Sequence, residues 1–94
     1  MTIPLDARPR LSPRARLRLD PRSGRPLLLY PERGLALNAT GAEVLQLCTG
    51  EATVSEIVDT LAVRHAADRA AILTEVRSFL DSLVSRGLLG GVGP

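Results

Sequence analysis

The chain has 94 residues, 45% of them apolar and 23% charged, which is the composition of one small folded domain and not of a disordered segment. Arginine supplies all twelve basic side chains against ten acids, for a net charge of +2, and only Tyr30 and Phe79 are aromatic, so the core is thin and aliphatic. No apolar run approaches the roughly 20 residues of a membrane span, a single cysteine (Cys48) and a single histidine (His65) build neither an internal disulfide nor a structural zinc site, and no glycine-rich phosphate loop opens a helix.

The modest net charge hides a division. Residues 1–33 hold eight arginines and three acids, net +5, whereas residues 34–94 hold four arginines and seven acids, net −3. The first residues, Met1-Thr2-Ile3-Pro4-Leu5-Asp6, contain no apolar signal region, and a lone thiol suits a reducing compartment, so a cytoplasmic location is expected.

Residues 1–13 carry Pro4, Pro9 and Pro13 with little apolar periodicity, and read as a flexible, proline-rich lead-in. Arg14, Arg16 and Arg18 alternate with Ala15, Leu17 and Leu19, the period-2 pattern of a strand with one wet and one dry face. Asp20-Pro21-Arg22-Ser23-Gly24 is a turn cluster. Leu27 to Tyr30 form a second, apolar strand, Pro31-Glu32-Arg33-Gly34 a second turn, and Leu35-Ala36-Leu37 a third short strand.

Three helices follow. Asn38 or Thr40 caps the first, Thr40 and Glu43 having capping-box spacing, with Val44, Leu45, Leu47 and Cys48 on its buried side and Gly50 ending it. Thr53 and Glu56 form a second capping box ahead of the stripe Val54, Ile57, Val58, Leu61. Asp68 caps the third helix, whose broad apolar face comprises Ile72, Val76, Phe79, Leu80, Leu83 and Val84 and which stops at Gly87. The fold expected is α+β: a three-stranded antiparallel sheet followed by three helices, winged helix-turn-helix-like, spanning residues 14–89 as a single domain with a tail over 90–94.

Catalytic chemistry finds no support. His65 near a helix end has no serine, cysteine or second base arranged with it. Cys48 on an apolar face reads as a small hydrophobe. Glu51, Glu56, Asp59, Asp68, Glu75 and Asp81 are spread over surface-like helix positions and do not form an acid–base pair. Neither a cofactor nor a metal site is expected. The stripe Arg14, Arg16, Arg18 reads either as an anion or nucleic-acid contact or as a charged guard on a sheet edge. A small winged-helix DNA-binding regulator is the alternative function, weakened because the helices that would enter a groove lie in the net-negative part of the chain. In a three-strand meander the third strand is also an edge, and Gly34-Leu35-Ala36-Leu37 has no charge, proline or long polar side chain to block pairing. Such an edge either accepts an extended peptide or is simply short, or covered by residues 1–13.

Arg8-Pro9-Arg10-Leu11, Arg16-Leu17-Arg18-Leu19-Asp20 and Leu28-Leu29-Tyr30-Pro31-Glu32-Arg33-Gly34 resemble the family of pyrroloquinoline quinone (PQQ) biosynthesis protein D, PqqD. The likeness continues through Leu37-Asn38, Leu45-Gln46-Leu47-Cys48-Thr49-Gly50, Thr53-Val54-Ser55-Glu56-Ile57, Val76, Phe79-Leu80, Leu83 and Gly87-Leu88-Leu89. His65-Ala66 departs from the more hydrophobic or aromatic helix end expected there. The resemblance implies a non-catalytic peptide chaperone, a recognition element for ribosomally made precursor peptides. It would bind the precursor PqqA by strand addition and present it to the radical S-adenosylmethionine enzyme PqqE.

In that reading the peptide pairs with Gly34, Leu35, Ala36 and Leu37, and its alternate side chains enter a groove walled by one face of the third helix. Counting by helical turns gives Leu73, Arg77, Leu80 and Val84 as that wall, with Arg77 or a nearby arginine meeting an acidic peptide group, and Ile72, Val76, Phe79 and Leu83 as core; Leu80 fits either set. The thin core and open edge are compatible with a monomer or a weak homodimer.

Overall fold

In the computed structural model, which describes residues 2–30 and 33–91, the elements run β1 (Arg10–Leu11), β2 (Arg16–Leu19), β3 (Pro26–Tyr30), β4 (Arg33–Ala36), α1 (Ala39–Leu47), α2 (Val54–Arg64), α3 (Arg69–Ser85) and β5 (Leu89–Gly90). Strands β2, β3 and β4 form an antiparallel meander with β3 central, and the helices pack on one face of it. The expected three-strand, three-helix, winged-helix-like domain is therefore present. Pro31 and Glu32, read as part of the second turn, lie outside the described residues, as do residues 92–94 of the expected tail.

The strands follow from their alternation. Leu17, Leu28 and Leu35 stand in register across the sheet and face the helices, with Leu28 fully buried. Arg16 and Arg18 face the other way, both exposed. The β2–β3 turn is held by Asp20, whose carboxylate accepts from the Arg22 N–H and the Ser23 hydroxyl, and Gly24 takes the left-handed conformation the turn needs, φ 71°.

Asn38, not Thr40, caps α1, its side chain accepting the Gly41 N–H at 2.7 Å. The capping box of α2 forms in full: Thr53 Oγ1 accepts the Glu56 N–H and the Glu56 carboxylate accepts the Thr53 N–H. Asp68 sits at the cap position of α3 without a side-chain hydrogen bond. Val44, Ile57, Val58, Leu61, Val76, Leu80 and Leu83 make the centre of an aliphatic core that the sheet closes with Leu28.

Residues 2–11 are docked, in contrast to the flexible lead-in that three prolines suggest. Ile3 is buried; its N–H donates to Asp81 and its carbonyl accepts from Arg77. The carbonyls of Leu5 and Ala7 accept the N–H groups of Ser55 and Val54, which a helix start leaves unpaired. Then β1 pairs with β5, Arg10 opposite Gly90 and Leu11 opposite Leu89, tying the two ends of the chain together. The prolines limit helix and strand in this stretch, but its isolated apolar residues and its carbonyls still find partners. Truncating Ile3→Ala should therefore lower stability by about 2–4 kcal/mol in urea denaturation, whereas an undocked lead-in would leave the midpoint unchanged.

Candidate functional site

The pairing phase of β3 and β4 determines what the third meander strand offers. The Leu37 N–H donates to the Pro26 carbonyl at 3.0 Å, so Pro26 and Leu37 face each other as a hydrogen-bonded pair. Antiparallel ladders alternate, which makes Leu28 and Leu35 the next such pair. Leu35 and Leu37 thus direct their backbone groups at β3, and Gly34 and Ala36 direct theirs outward. Both are exposed, and no described residue pairs with their N–H or carbonyl groups.

Beyond Ala36 the chain passes through buried Leu37 to Asn38, which forms the rim of a groove of about 480 Å³ between the start of α1 and the middle of α3. Phe79, half-buried, and the buried Val44 and Val76 give it an apolar floor; Thr74, Ser78 and Ser82 repeat every fourth residue along its α3 wall, with Glu75 beside them. Gly41 leaves room for the capping oxygen of Asn38, which would lie only 3.1 Å from a Cβ there; the Phe79 ring, at 3.5 Å, would be in ordinary contact. The open strand edge and the groove thus meet at Asn38.

The eight residues read from the sequence as a peptide site divide accordingly. Gly34 and Ala36 present free backbone groups; Leu35 packs half-buried against the core and Leu37 is buried. On α3 the four expected wall residues differ in exposure. Leu80 is fully buried, Leu73 and Val84 are half-buried against the core, and Arg77 is bound to the Ile3 carbonyl. The docked amino-terminal segment meets α3 at Arg77 and Asp81, and the groove beside Asn38 is lined by a different set of α3 residues. Apolar periodicity does not point to that set: Thr74, Ser78 and Ser82 look like solvated positions, and Phe79 like core. A stripe of small polar residues beside the lone phenylalanine was the available signal.

The other singled-out residues have structural roles. Burial pushes the Cys48 thiol up to about 12, far from a nucleophilic thiolate. Glu43 accepts from Arg64 and contacts His65, joining α1 to the end of α2; the Arg64 hydrogen bond above all holds its carboxyl below the usual 4.5. The Thr53 backbone hydrogen bond does the same for Glu56. Among the described residues, no three His, Cys, Asp or Glu side chains cluster as metal ligands, and no helix is long and apolar enough to cross a membrane.

Fold and site together define a winged-helix-like domain with an unpaired strand edge opening onto a groove. The family model of coenzyme PQQ synthesis protein D (PqqD) matches residues 27–89, and the chain belongs to that family. It is 43% identical to the PqqA binding protein of Rhodopseudomonas palustris (strain BisB5), over 95% of this chain and 87% of that protein. It is 34% identical to the PqqA binding protein of Methylococcus capsulatus, over 93% and 91%. The solution NMR structure of the PqqD truncation of Methylobacterium extorquens PqqCD, a stand-alone recognition element for ribosomally synthesized and modified peptides, superposes with a TM-score of 0.75 at 35% identity, covering 87% of each chain. TbiB1, solved in complex with the TbiA(beta) leader peptide, shares the fold with a TM-score of 0.74 at 23% identity, over 90% of this chain and 99% of that one.

Two outcomes follow. The Cys48 thiol should react with an aromatic disulfide reagent at pH 8 only as fast as the protein opens, and at the rate of a free thiol in denaturant. For Glu43, whose pKa is lower folded than unfolded, the contribution to stability is complete above pH 4.5 and is lost as pH falls through the lowered native value. The stability gap between this chain and Glu43→Gln should close over that acid range in pH-dependent urea melts.

Proposed function

We propose that this chain is a non-catalytic peptide chaperone of PQQ synthesis that binds the precursor peptide PqqA and presents it to the radical S-adenosylmethionine enzyme PqqE. The observation that carries the reading is the outward-facing, unpartnered backbone of Gly34 and Ala36 at the mouth of the α1–α3 groove, in a chain whose relatives are PqqA binding proteins. A peptide laid beside β4 gains backbone hydrogen bonds from Gly34 and Ala36, which sit on the same edge two residues apart. Its residues level with Leu35 and Leu37 direct their side chains to the helix side, toward Phe79 and the Thr74–Ser78–Ser82 stripe.

The non-catalytic part of this reading is supported by relatives that are PqqA binding proteins and a stand-alone recognition element, and the buried Cys48 thiol, pushed up to about 12, supplies no nucleophile. Ordering a flexible leader offsets much of the interaction energy, so binding is reversible, as hand-over to a second protein requires.

Titration of labelled protein with PqqA precursor peptide should shift the amide signals of residues 34–37 and of Thr74, Ser78, Phe79 and Ser82. Ala36→Pro removes an outward N–H without touching the β3 ladder, and should weaken binding at least tenfold while the circular dichroism stays that of the parent. Unchanged affinity in folded Ala36→Pro would refute strand addition at β4.

A further inference from the structure

The outer face of the β2–β3–β4 sheet, away from the helices, is built from two parallel rows. Arg16, Leu29 and Gly34 stand in register in one; Arg18, Leu27 and Ala36 stand in the other. Each row steps from a guanidinium through a leucine to a residue with little or no side chain, ending at the open edge. Leu29 is 40% exposed and leans over the bare Gly34 backbone, its Cδ2 lying 3.3 Å from where a Cβ would stand. The core-facing Leu17, Leu28 and Leu35 point the other way, and on this face Arg16, Arg18, Leu29, Gly34 and Ala36 are exposed and Leu27 is half-buried. Arg16 and Arg18 have no carboxylate partner among the described residues, in contrast to Arg8, Arg64 and Arg69.

We propose that this outer face is the second half of the peptide site, taking the outward-pointing side chains of the added strand on Leu27 and Leu29 and pairing an acidic one with Arg16 or Arg18. This rests on strand addition at β4 and adds to it a rule about the peptide. Side chains alternate along a strand, so residues of the peptide level with Gly34 and Ala36 continue the two rows outward. Gly34 and Ala36 leave them room, and the leucines give them apolar surface.

Three strand spacings, about 14 Å, separate the backbone of β2 from that of the added strand. An arginine and a glutamate laid flat toward each other across Leu29 span that distance, the arginine stem covering the leucine while its head stays wet. The helix-side groove carries Glu75 and no basic residue, so the two faces of the site have opposite charge. A peptide strand with acidic residues at one set of alternate positions therefore has one preferred way up, and this sets its register, because a one-residue slip would bring those carboxylates against Glu75.

The test compares Arg16→Glu/Arg18→Glu, Leu29→Ala and Ala36→Pro with the parent chain, by fluorescence anisotropy of labelled PqqA precursor peptide from low to high salt. The double charge reversal should weaken binding about tenfold at low salt and remove most of the salt dependence, since exposed pairs are screened. Leu29→Ala should weaken binding about threefold at all salt concentrations. If both variants bind as the parent does while Ala36→Pro does not bind, the outer face has no part in recognition and strand addition stands. If Ala36→Pro also binds as the parent does, strand addition fails, and this inference fails with it.

Discussion

The phase of one antiparallel ladder governs the molecule. Leu28 is buried against the helices, and its hydrogen-bonded partner is Leu35. A one-residue slip of β4 would carry Leu35 out of the core and turn its backbone to the edge. The chain secures the phase at one end through the Leu37 N–H on the Pro26 carbonyl. Proline is tolerated at that position because it is the first residue of β3, where its missing N–H forfeits a single terminal ladder bond while its carbonyl still accepts. With the phase held, Gly34 and Ala36 have no choice but to face outward. An open edge is normally a hazard; here it is only two outward residues long, too short to template a stack of copies but long enough to hold an extended peptide beside a groove.

The docked amino-terminal segment decides which side of α3 remains free. Ile3 is gripped at both backbone groups, by Asp81 and by Arg77, two residues one helical turn apart. The segment that follows, through the carbonyls of Leu5 and Ala7, accepts the N–H groups of the first turn of α2, so it bridges α3 and α2. The thin aliphatic core gains an isoleucine, and the groove is confined to the side where α1 begins.

What was legible in the sequence was local. Capping at Asn38 and Thr53, the turn at Asp20 and the glycine after α3 depend on neighbours within four residues, and each took its expected form, whereas the dry face expected of Ala15, Leu17 and Leu19 holds in β2 only at Leu17, Leu19 being 70% exposed and Ala15 lying before the strand. The contacts that escaped were long in sequence. Strands β1 and β5, two residues each, meet across nearly the whole chain, and no periodicity exists in two residues. The grip on Ile3 spans 78 residues to Asp81. Likewise, helical counting groups α3 residues into faces, but nothing local distinguishes a face met by a distant segment, as Arg77 and Asp81 are by Ile3, from one left open.

The division of charge takes on meaning from the same geometry. A basic amino-terminal third and an acidic helical part would serve nucleic acid poorly, since phosphate would be drawn to the sheet and repelled from the helices. A strand added at β4 lies on the boundary between them. One of its faces looks toward Glu75 and the hydroxyls of α3, and the other toward the leucines and arginines of the sheet. Backbone pairing at β4 accepts any extended chain, so discrimination has to come from the alternate side chains. A site whose two faces differ in charge reads both sets at once, and a peptide that matches one face in the wrong register mismatches the other.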